Sequence, residues 1–232
     1  MNNRFFIAIL LMLVFPIFVW GAFPTTSIID NFNRADNASL GANWDEGDLA
    51  RPDNFEIVSN TVQNTASAQA EASASWNAST FGPDCEIFAT LTQNLPADNG
   101  DRYSMACKIR QIGSGTTDFY GLSMRRDSGG LFYRVQESVD ESFTDLGAEV
   151  GITFVNGDVM GLEVIGDTIK GYINGVEQIS RTDSTLSGVS GRLGLYNWEV
   201  AGSGANPTLD DFGGGTVVSV AVTKLFITGP GI

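Results

Sequence analysis

The sequence contains no histidine among its 232 residues. This absence excludes Ser-His-Asp and Cys-His nucleophilic pairs, a histidine general base and a histidine-ligated zinc ion. Cysteine is almost as scarce: the sequence has two, Cys85 and Cys107, too few for a four-cysteine zinc site. Catalytic chemistry would therefore depend on carboxylates, tyrosine, lysine or arginine.

Basic residues are also few. The chain has 13 lysines and arginines against 27 acidic residues, and its formal net charge is −14. A surface of this charge repels phosphate backbones and anionic lipids, so we predict no nucleic-acid partner. The same acidic excess suits Ca²⁺, a hard cation that prefers carboxylate and carbonyl oxygens.

Residues 1–22 are typical of a secretory signal peptide. A short basic region ends at Arg4, an apolar run follows over residues 5–20, and the small residues Gly21 and Ala22 come next. The run is also just long enough to be an uncleaved membrane anchor. Pro16 within the run and the small residues behind it favour cleavage after Gly21 or Ala22. We therefore predict a secreted or cell-surface protein that has no membrane contact after cleavage.

The rest of the chain has the pattern of β-strands. Helical periodicity is scarce after residue 23, whereas apolar and polar residues alternate in short runs between turn signals. The turn signals Gly166-Asp167 and Asn174-Gly175 predict a three-stranded antiparallel meander over residues 159–180. "FEIVSNTVQN" predicts two short strands, and "TASAQAEASASW" fits either an edge strand or a loop. We predict one all-β domain over residues 23–215, a sandwich of two antiparallel sheets.

The two cysteines lie in strand-like runs, "CEIFATL" and "YSMACKI", on either side of "NLPADNGD". A simple hairpin centred near Asp98 would place Cys107 opposite Ala89, four residues from Cys85 and too far for a disulfide. The strand register is not fixed by the sequence, and export would allow oxidation. A disulfide and two buried thiols therefore both stay open.

Several motifs in order carry a family resemblance: "DNFNR", "FEIVSNTV", "FGPDCEIFATLT", "VMGLEVIGDTIKGYINGVEQIS", "SGRLGLYNW" and "LDDFGGG". Over residues 28–215 the chain resembles the concanavalin A-like lectin/glucanase superfamily, and especially the laminin-G-like jelly-roll domains of bacterial and phage surface proteins. The resemblance implies a jelly-roll β-sandwich. It also implies that the first and last strands lie side by side, which would make "DNFNR" and "LDDFG" neighbours.

If those strands are neighbours, four aspartates approach one another: Asp30, Asp36, Asp210 and Asp211. Unpaired carboxylates so close would repel, and a structural Ca²⁺ with six to eight oxygen ligands would relieve that repulsion. Related sandwich modules often hold such an ion near their terminal strands. The alternative is that these side chains cap turns, accept backbone N–H bonds or pair with Arg34.

Glycan binding needs exposed aromatic rings beside amide and carboxylate groups. We predict ligand contacts at Trp198, Tyr196 and Asn197 in "LYNWEVAGSGAN", at Trp76 in "SASWNAST" and at Tyr120 in "TTDFYG". The alternative for each aromatic residue is a place in the core, where most aromatic side chains lie. Trp44 is expected to fill the core beneath the first strand.

Catalysis is not indicated. The glycoside hydrolases of this superfamily carry an E-x-D-x-x-E motif, which is absent here, and its polysaccharide lyases use a histidine. The segment "QESVDESFTD" offers Glu137, Asp140 and Glu141, which also fit a solvated acidic loop. We therefore predict that the protein is not an enzyme.

Residues 216–232, "TVVSVAVTKLFITGPGI", predict an extra apolar strand after the jelly roll is complete. Such a strand would cover an edge of its own sandwich, pair with a second copy, or lead into a further domain. The sequence favours an exported recognition or adhesion module with a glycan or polysaccharide ligand. The alternative is a self-associating structural subunit of an extracellular filament or virion-like surface.

Overall fold

The structure is a computed structural model that describes residues 23–46, 55–64, 71–93, 95, 102–111, 116–198 and 208–218, without the side chains of Glu71 and Trp198. The predicted signal peptide, and all of the C-terminal tail beyond residue 218, lie outside the described residues. In the described ranges no helix has the length and apolarity needed to cross a membrane.

The described chain is all-β. Its strands are β1 (Ile28–Asp30), β2 (Trp44–Glu46), β3 (Phe55–Val58), β4 (Thr61–Asn64), β5 (Glu71–Trp76), β6 (Cys85–Gln93), β7 (Arg102–Arg110), β8 (Asp118–Asp127), β9 (Gly130–Val139), β10 (Ser142–Asp145), β11 (Val150–Ile152), β12 (Val159–Ile165), β13 (Thr168–Ile173), β14 (Val176–Thr182), β15 (Arg192–Trp198) and β16 (Thr208–Thr216).

The strands form two antiparallel sheets that pack as a sandwich, which confirms the predicted fold class. The back sheet has the order β14-β13-β12-β6-β16-β4-β3, with β1 paired to β16. The front sheet has the order β10-β9-β8-β7-β15-β5-β2, with β11 paired to β9. The inward side chains of both sheets meet in one hydrophobic core.

The predicted local elements are present. The meander is β12, β13 and β14, and Asn174 and Gly175 at its second turn have φ values of 50° and 77°. Both angles lie in the left-handed region that a type I′ turn requires, which Asn-Gly adopts readily. The segment that fitted an edge strand or a loop contains β5, which pairs with both β15 and β2.

β6 and β7 do not pair with each other as a simple hairpin would require. β6 pairs with β12 and β16 in the back sheet, whereas β7 pairs with β8 and β15 in the front sheet. Cys85 and Cys107 therefore approach each other across the interior as buried free thiols. Burial raises the pKa of the Cys107 thiol, and its hydrogen bond with Cys85 adds to this effect.

The two ends of the domain are neighbours, as the resemblance implied. β1 runs antiparallel to β16, with Asp30 opposite Phe212 and Ile28 opposite Gly213. Trp44 is 5% exposed and lies against Phe212, with 4.8 Å between the ring centroids. The contact between Trp44 and Phe212, which we call the aromatic joint, thus holds the start of the domain against its last strand. Trp44 fills the core as expected.

Residues 23–26 cross the outer side of the back sheet, and we call them the N-terminal strap. The ring of Phe23 stacks on Tyr172 at a centroid distance of 4.3 Å and meets Phe88 edge-on at 6.5 Å. The backbone N–H groups of Thr25 and Thr26 donate to one carboxylate oxygen of Glu86, at 2.6 and 2.5 Å. The strap is therefore anchored both by ring packing and by a buried carboxylate.

The start of the C-terminal tail stays beside its own sandwich. The Thr216 hydroxyl accepts a hydrogen bond from the Gly82 N–H at 3.0 Å, and the Val217 N–H donates to the Asp84 carbonyl at 3.0 Å. Val218, the last described residue, is 78% exposed. Self-association through residues 216–232 stays a prediction.

Candidate functional site

Successive residues of a strand point to opposite sides of the sheet, so the front sheet has an outward side that we call the front face. On β7 and β8 the core takes Tyr103, Met105, Tyr120 and Leu122. The residues that alternate with them, such as Ser104 and Ser123, therefore belong to the front face. The antiparallel register places front-face residues of neighbouring strands side by side.

A chain of hydrogen bonds crosses four strands of the front face. The Ser104 and Ser123 hydroxyls are 2.6 Å apart, and the Ser123 hydroxyl donates to the Gln136 side-chain carbonyl at 3.3 Å. The Gln136 amide then donates to Asp145 at 2.7 Å. These bonds fix the rotamers of the polar side chains, so the front face offers hydrogen-bonding groups in set positions.

Three rings form an aromatic platform on the same face: Phe119, Phe143 and Tyr196. The centroid of Phe143 lies 5.6 Å from that of Phe119 and 6.0 Å from that of Tyr196. Phe119 and Tyr196 pack with Ala106 and Ile109 in a small cluster apart from the main core. Phe143 is 38% exposed on top of them. The platform therefore presents one ring to solvent on a rigid base.

Arginine side chains border the platform, on the side of the hydrogen-bond chain. Arg125 and Arg134 both donate to Glu149, the former at 2.6 Å, and Arg134 also lies 3.4 Å from Asp145. The Arg125 hydrogen bond lowers the pKa of Glu149, and Arg134 lowers it further. Burial lowers the pKa of Arg102, which stands opposite Arg125 in the register. Charged groups of both signs thus lie next to Asp145, which is two residues from Phe143 on β10.

The sequence-predicted ligand residues of β15 have different surroundings. Tyr196 belongs to the platform and is 8% exposed. Asn197 points into the sandwich and is fully buried. Trp198 ends β15, and its side chain lies outside what the structure describes.

Tyr120 lies in the core with no exposed surface. Its hydroxyl donates to Asp183 and accepts the Leu186 N–H at 2.9 Å, which ties the loop after β14 to the interior. Tyr120 therefore presents no surface to a ligand in this structure.

Trp76 lines a second feature, a pocket of about 320 Å³ at the edge of the sandwich, which we call the edge pocket. The pocket also includes Asp30, Arg34 and the loop from Leu40 to Trp44. The rings of Trp76 and Trp44 meet edge to face, with centroids 5.5 Å apart. Two residues that the sequence singled out for different reasons, Asp30 and Trp76, are therefore close together.

The carboxylate of Asp30 already has several hydrogen-bond donors around it. Its two oxygens accept hydrogen bonds from Arg34 at 2.7 and 3.0 Å, from the Trp44 indole N–H at 2.9 Å and from the Phe32 N–H at 2.9 Å. Burial alone would raise the pKa of Asp30, but the bonds from Arg34 and Trp44 outweigh it and lower the pKa. The guanidinium group thus supplies the positive charge that a cation would bring.

The other three aspartates also have local roles or contacts. Asp36 accepts the Ser59 N–H at 2.8 Å, and Asp210 accepts the Asp211 N–H at 2.7 Å. Burial raises the pKa of Asp210, and the charges of Asp211 and Asp30 raise it too. Within the described ranges, no cluster of three or more acidic or cysteine side chains is arranged to hold a metal ion. A calcium ion shared by these aspartates stays a prediction.

EDTA tests that prediction directly. A shared ion predicts a lower melting temperature in EDTA, whereas the alternative, in which Arg34 neutralises Asp30, predicts the same melting temperature with and without EDTA. Asp211→Asn is the control, and its melting temperature should respond no more than that of the wild type. A fall in EDTA that Ca²⁺ reverses, and that Asp211→Asn removes, would establish a shared ion, since a ligand at a hundred times its Kd adds about 2.7 kcal/mol.

Phe143 is the site residue that the sequence reasoning missed. The segment "QESVDESFTD" was compatible with a solvated acidic loop, but it forms the end of β9, a turn and all of β10. Asp140 and Glu141 at this turn have φ values of 49° and 58°, typical of a two-residue hairpin turn. The alternation Ser-Phe-Thr after the turn was the available signal, and it places Phe143 opposite Ser138.

No protein-family model matches the sequence, and no curated protein matches it by sequence. Solved structures do match its fold. The chain is similar to the carbohydrate-binding module CBM66 of Bacillus subtilis, with a TM-score of 0.50, 16% identity, and coverage of 75% of this chain and 94% of that one.

Two further structures are more similar in shape. The potassium-bound Emp46p carbohydrate recognition domain gives a TM-score of 0.58 at 11% identity, covering 83% of this chain and 97% of that one. The Ca²⁺-bound exoplasmic/lumenal domain of VIP36 gives 0.55 at 14% identity, covering 84% and 91%. The chain therefore has the concanavalin A-like jelly-roll fold found in lectin-like domains. At these identities the likeness establishes the fold alone.

Proposed function

We propose that the protein is an exported, non-enzymatic carbohydrate-binding module that recognises a glycan on its front face, in recognition or adhesion outside the cell. One observation carries this proposal: the exposed ring of Phe143 sits on a rigid aromatic base beside an ordered row of amide, carboxylate and guanidinium groups. The names of similar structures, a carbohydrate-binding module and a carbohydrate recognition domain, support the ligand class. The sequence pattern of residues 1–22 supports export.

The chemistry of a sugar matches this arrangement. The C–H face of a pyranose ring is apolar and can pack on an aromatic ring, while its hydroxyls both donate and accept hydrogen bonds. Phe143 offers the apolar surface, and Gln136, Asp145 and Arg134 offer acceptors and donors on one side of it. Pre-set side chains reduce the entropy lost on binding.

The same contacts argue against hydrolysis. A glycosidase needs one carboxylic acid that stays protonated near neutral pH to donate to the leaving group. On the described front face, Glu149 is held by Arg125 and Arg134, and its pKa is lowered. A carboxylate in that state binds and orients, but it is a poor general acid.

A glycan-array screen of residues 23–232, followed by titration calorimetry with the best ligand, tests the proposal. We expect Phe143→Ala to weaken binding by roughly tenfold, because an aromatic contact contributes up to about 1.5 kcal/mol. The melting temperature should change little, because the ring is partly exposed. Val176→Ala is the matched control, since Val176 is 61% exposed on the back sheet.

If Phe143→Ala and the wild type bind the glycan with equal affinity, the front face is not the binding site. An array with no bound glycan, with or without Ca²⁺, would remove the proposed ligand class altogether.

A further inference from the structure

The edge pocket has the features of a built site and is separate from the front face. It lies between β1, which pairs with β16 of the back sheet, and β2 at the edge of the front sheet. Its volume of about 320 Å³ is at the small end of the range for ligand pockets. The volume suits one sugar ring and not an extended chain.

A network of contacts holds the walls of the pocket in place. Asp30 fixes the guanidinium of Arg34 and the indole N–H of Trp44, and the Leu40 carbonyl accepts a further Arg34 bond at 2.7 Å. Trp44 in turn holds Trp76 edge to face. The partly exposed Trp76 ring is therefore a preformed surface for stacking.

Arg34 retains hydrogen-bonding capacity. A guanidinium group has five N–H donors. Three of them are used, one by each oxygen of Asp30 and one by the Leu40 carbonyl. The N–H on Nε and one on Nη1 have no acceptor within the described part of the chain, and the side chain is 37% exposed. A ligand in the pocket would find two donors in a fixed position.

The charges of Asp30 and Arg34 favour a neutral ligand over an anionic one. Asp30 lies against Arg34, so the pair is neutral as a whole, and the protein carries a net charge of −14. A carboxylate ligand would face the Asp30 charge as well as the guanidinium group. Hydroxyl oxygens accept the same hydrogen bonds without that repulsion.

We propose that the edge pocket is a second, independent carbohydrate site, which binds one neutral sugar residue with its ring on Trp76 and its hydroxyl oxygens on Arg34. The inference shares only its ligand class with the proposed front-face function. With both sites filled, one chain contacts a glycan surface at two points, and linked sites of this kind raise overall affinity well above that of either alone.

Indole N–H signals in ¹⁵N NMR spectra of residues 23–232 provide the test, because these residues include three of the four tryptophans, Trp44, Trp76 and Trp198. The probes are the methyl glycosides of glucose, galactose, mannose, N-acetylglucosamine and glucuronic acid. We expect at least one neutral glycoside to shift the Trp76 signal in a saturable way, and the charged glucuronide to shift it less. Phe143→Ala should leave this titration unchanged.

Trp76→Leu removes the Trp76 signal and so assigns it. If a glycoside also shifts the neighbouring Trp44 signal, Trp76→Leu should abolish that shift, while an unchanged dispersion of the amide signals confirms a folded chain. A static Trp76 signal with every probe, while an array glycan still binds in a Phe143-dependent way, would overturn the second site and leave the front face intact. A stronger response to the glucuronide would overturn the neutral-ligand assignment. No binding in either assay would overturn both proposals.

Discussion

Replacing Trp44 by alanine will lower the free energy of unfolding by roughly 3–5 kcal/mol, the range for truncating a buried large aromatic residue. The ring is 5% exposed and touches Phe32, Trp76 and Phe212, with centroids 6.0, 5.5 and 4.8 Å away. Its indole N–H also donates to Asp30. The change removes the aromatic joint between the first and last strands, and urea denaturation measures the loss.

Trp44→Phe is the control for this prediction. It keeps most of the ring contacts but removes the N–H that Asp30 accepts, so it should cost about 1–3 kcal/mol, the cost of losing a hydrogen bond to a charged group. A loss below about 1 kcal/mol for Trp44→Ala would mean that the ends of the domain are held by something other than this joint.

Local structure could be predicted from the sequence because its signals are local, whereas the joining of the two ends was an expectation from the family resemblance. Period-two alternation identifies individual strands, and Asn174-Gly175 specifies a tight turn through its backbone angles. The adjacency of the terminal strands came from the family resemblance, which rests on motifs spread over residues 28–215, and β1 does pair with β16.

The sheets that β6 and β7 join could not be predicted in the same way. Alternation shows that a segment is a strand, but it is silent on which sheet the segment joins. Cys85 and Cys107 face each other because the chain crosses from the back sheet to the front sheet between them. Sheet membership depends on packing across the whole core, which no single segment encodes.

The candidate site shows the same limit. Tyr196 reaches the front face, but its exposed partner Phe143 lies 53 residues earlier in the chain, in a segment whose composition is also compatible with an acidic loop. Tyr120 was predicted to be a ligand contact, yet it is buried because its side chain points from β8 into the core, on the opposite side from Phe119. Composition identifies aromatic residues, whereas exposure depends on the neighbours that the fold supplies.

A substitution in the N-terminal strap has the second large expected effect on the free energy of unfolding. Phe23→Ala will lower the free energy of unfolding by roughly 3 kcal/mol, because the Phe23 ring is 6% exposed and stacked on Tyr172. Loss of the ring loosens the strap over Glu86, whose carboxylate accepts two strap N–H groups and lies opposite Glu163 in the register. Burial raises the pKa of Glu163, and the charge of Glu86 contributes to the rise. Without the strap, Glu86 would need water in place of its backbone donors.

Gly161→Ala tests the same contact from the other side. A methyl group at Gly161 would lie 2.0 Å from the Phe23 ring, so it must displace the ring, while its next neighbour, the Ile87 carbonyl, is 3.1 Å away. We therefore expect Gly161→Ala to destabilise the wild type by about as much as Phe23→Ala does, but to cost little in the Phe23→Ala background. Such non-additivity in a double-mutant cycle, measured by urea denaturation, reports a shared contact. Phe143→Ala, which removes an exposed ring, is the matched control and should cost less than about 1 kcal/mol. Additive losses for Phe23→Ala and Gly161→Ala would show that the strap does not rest on β12 in solution.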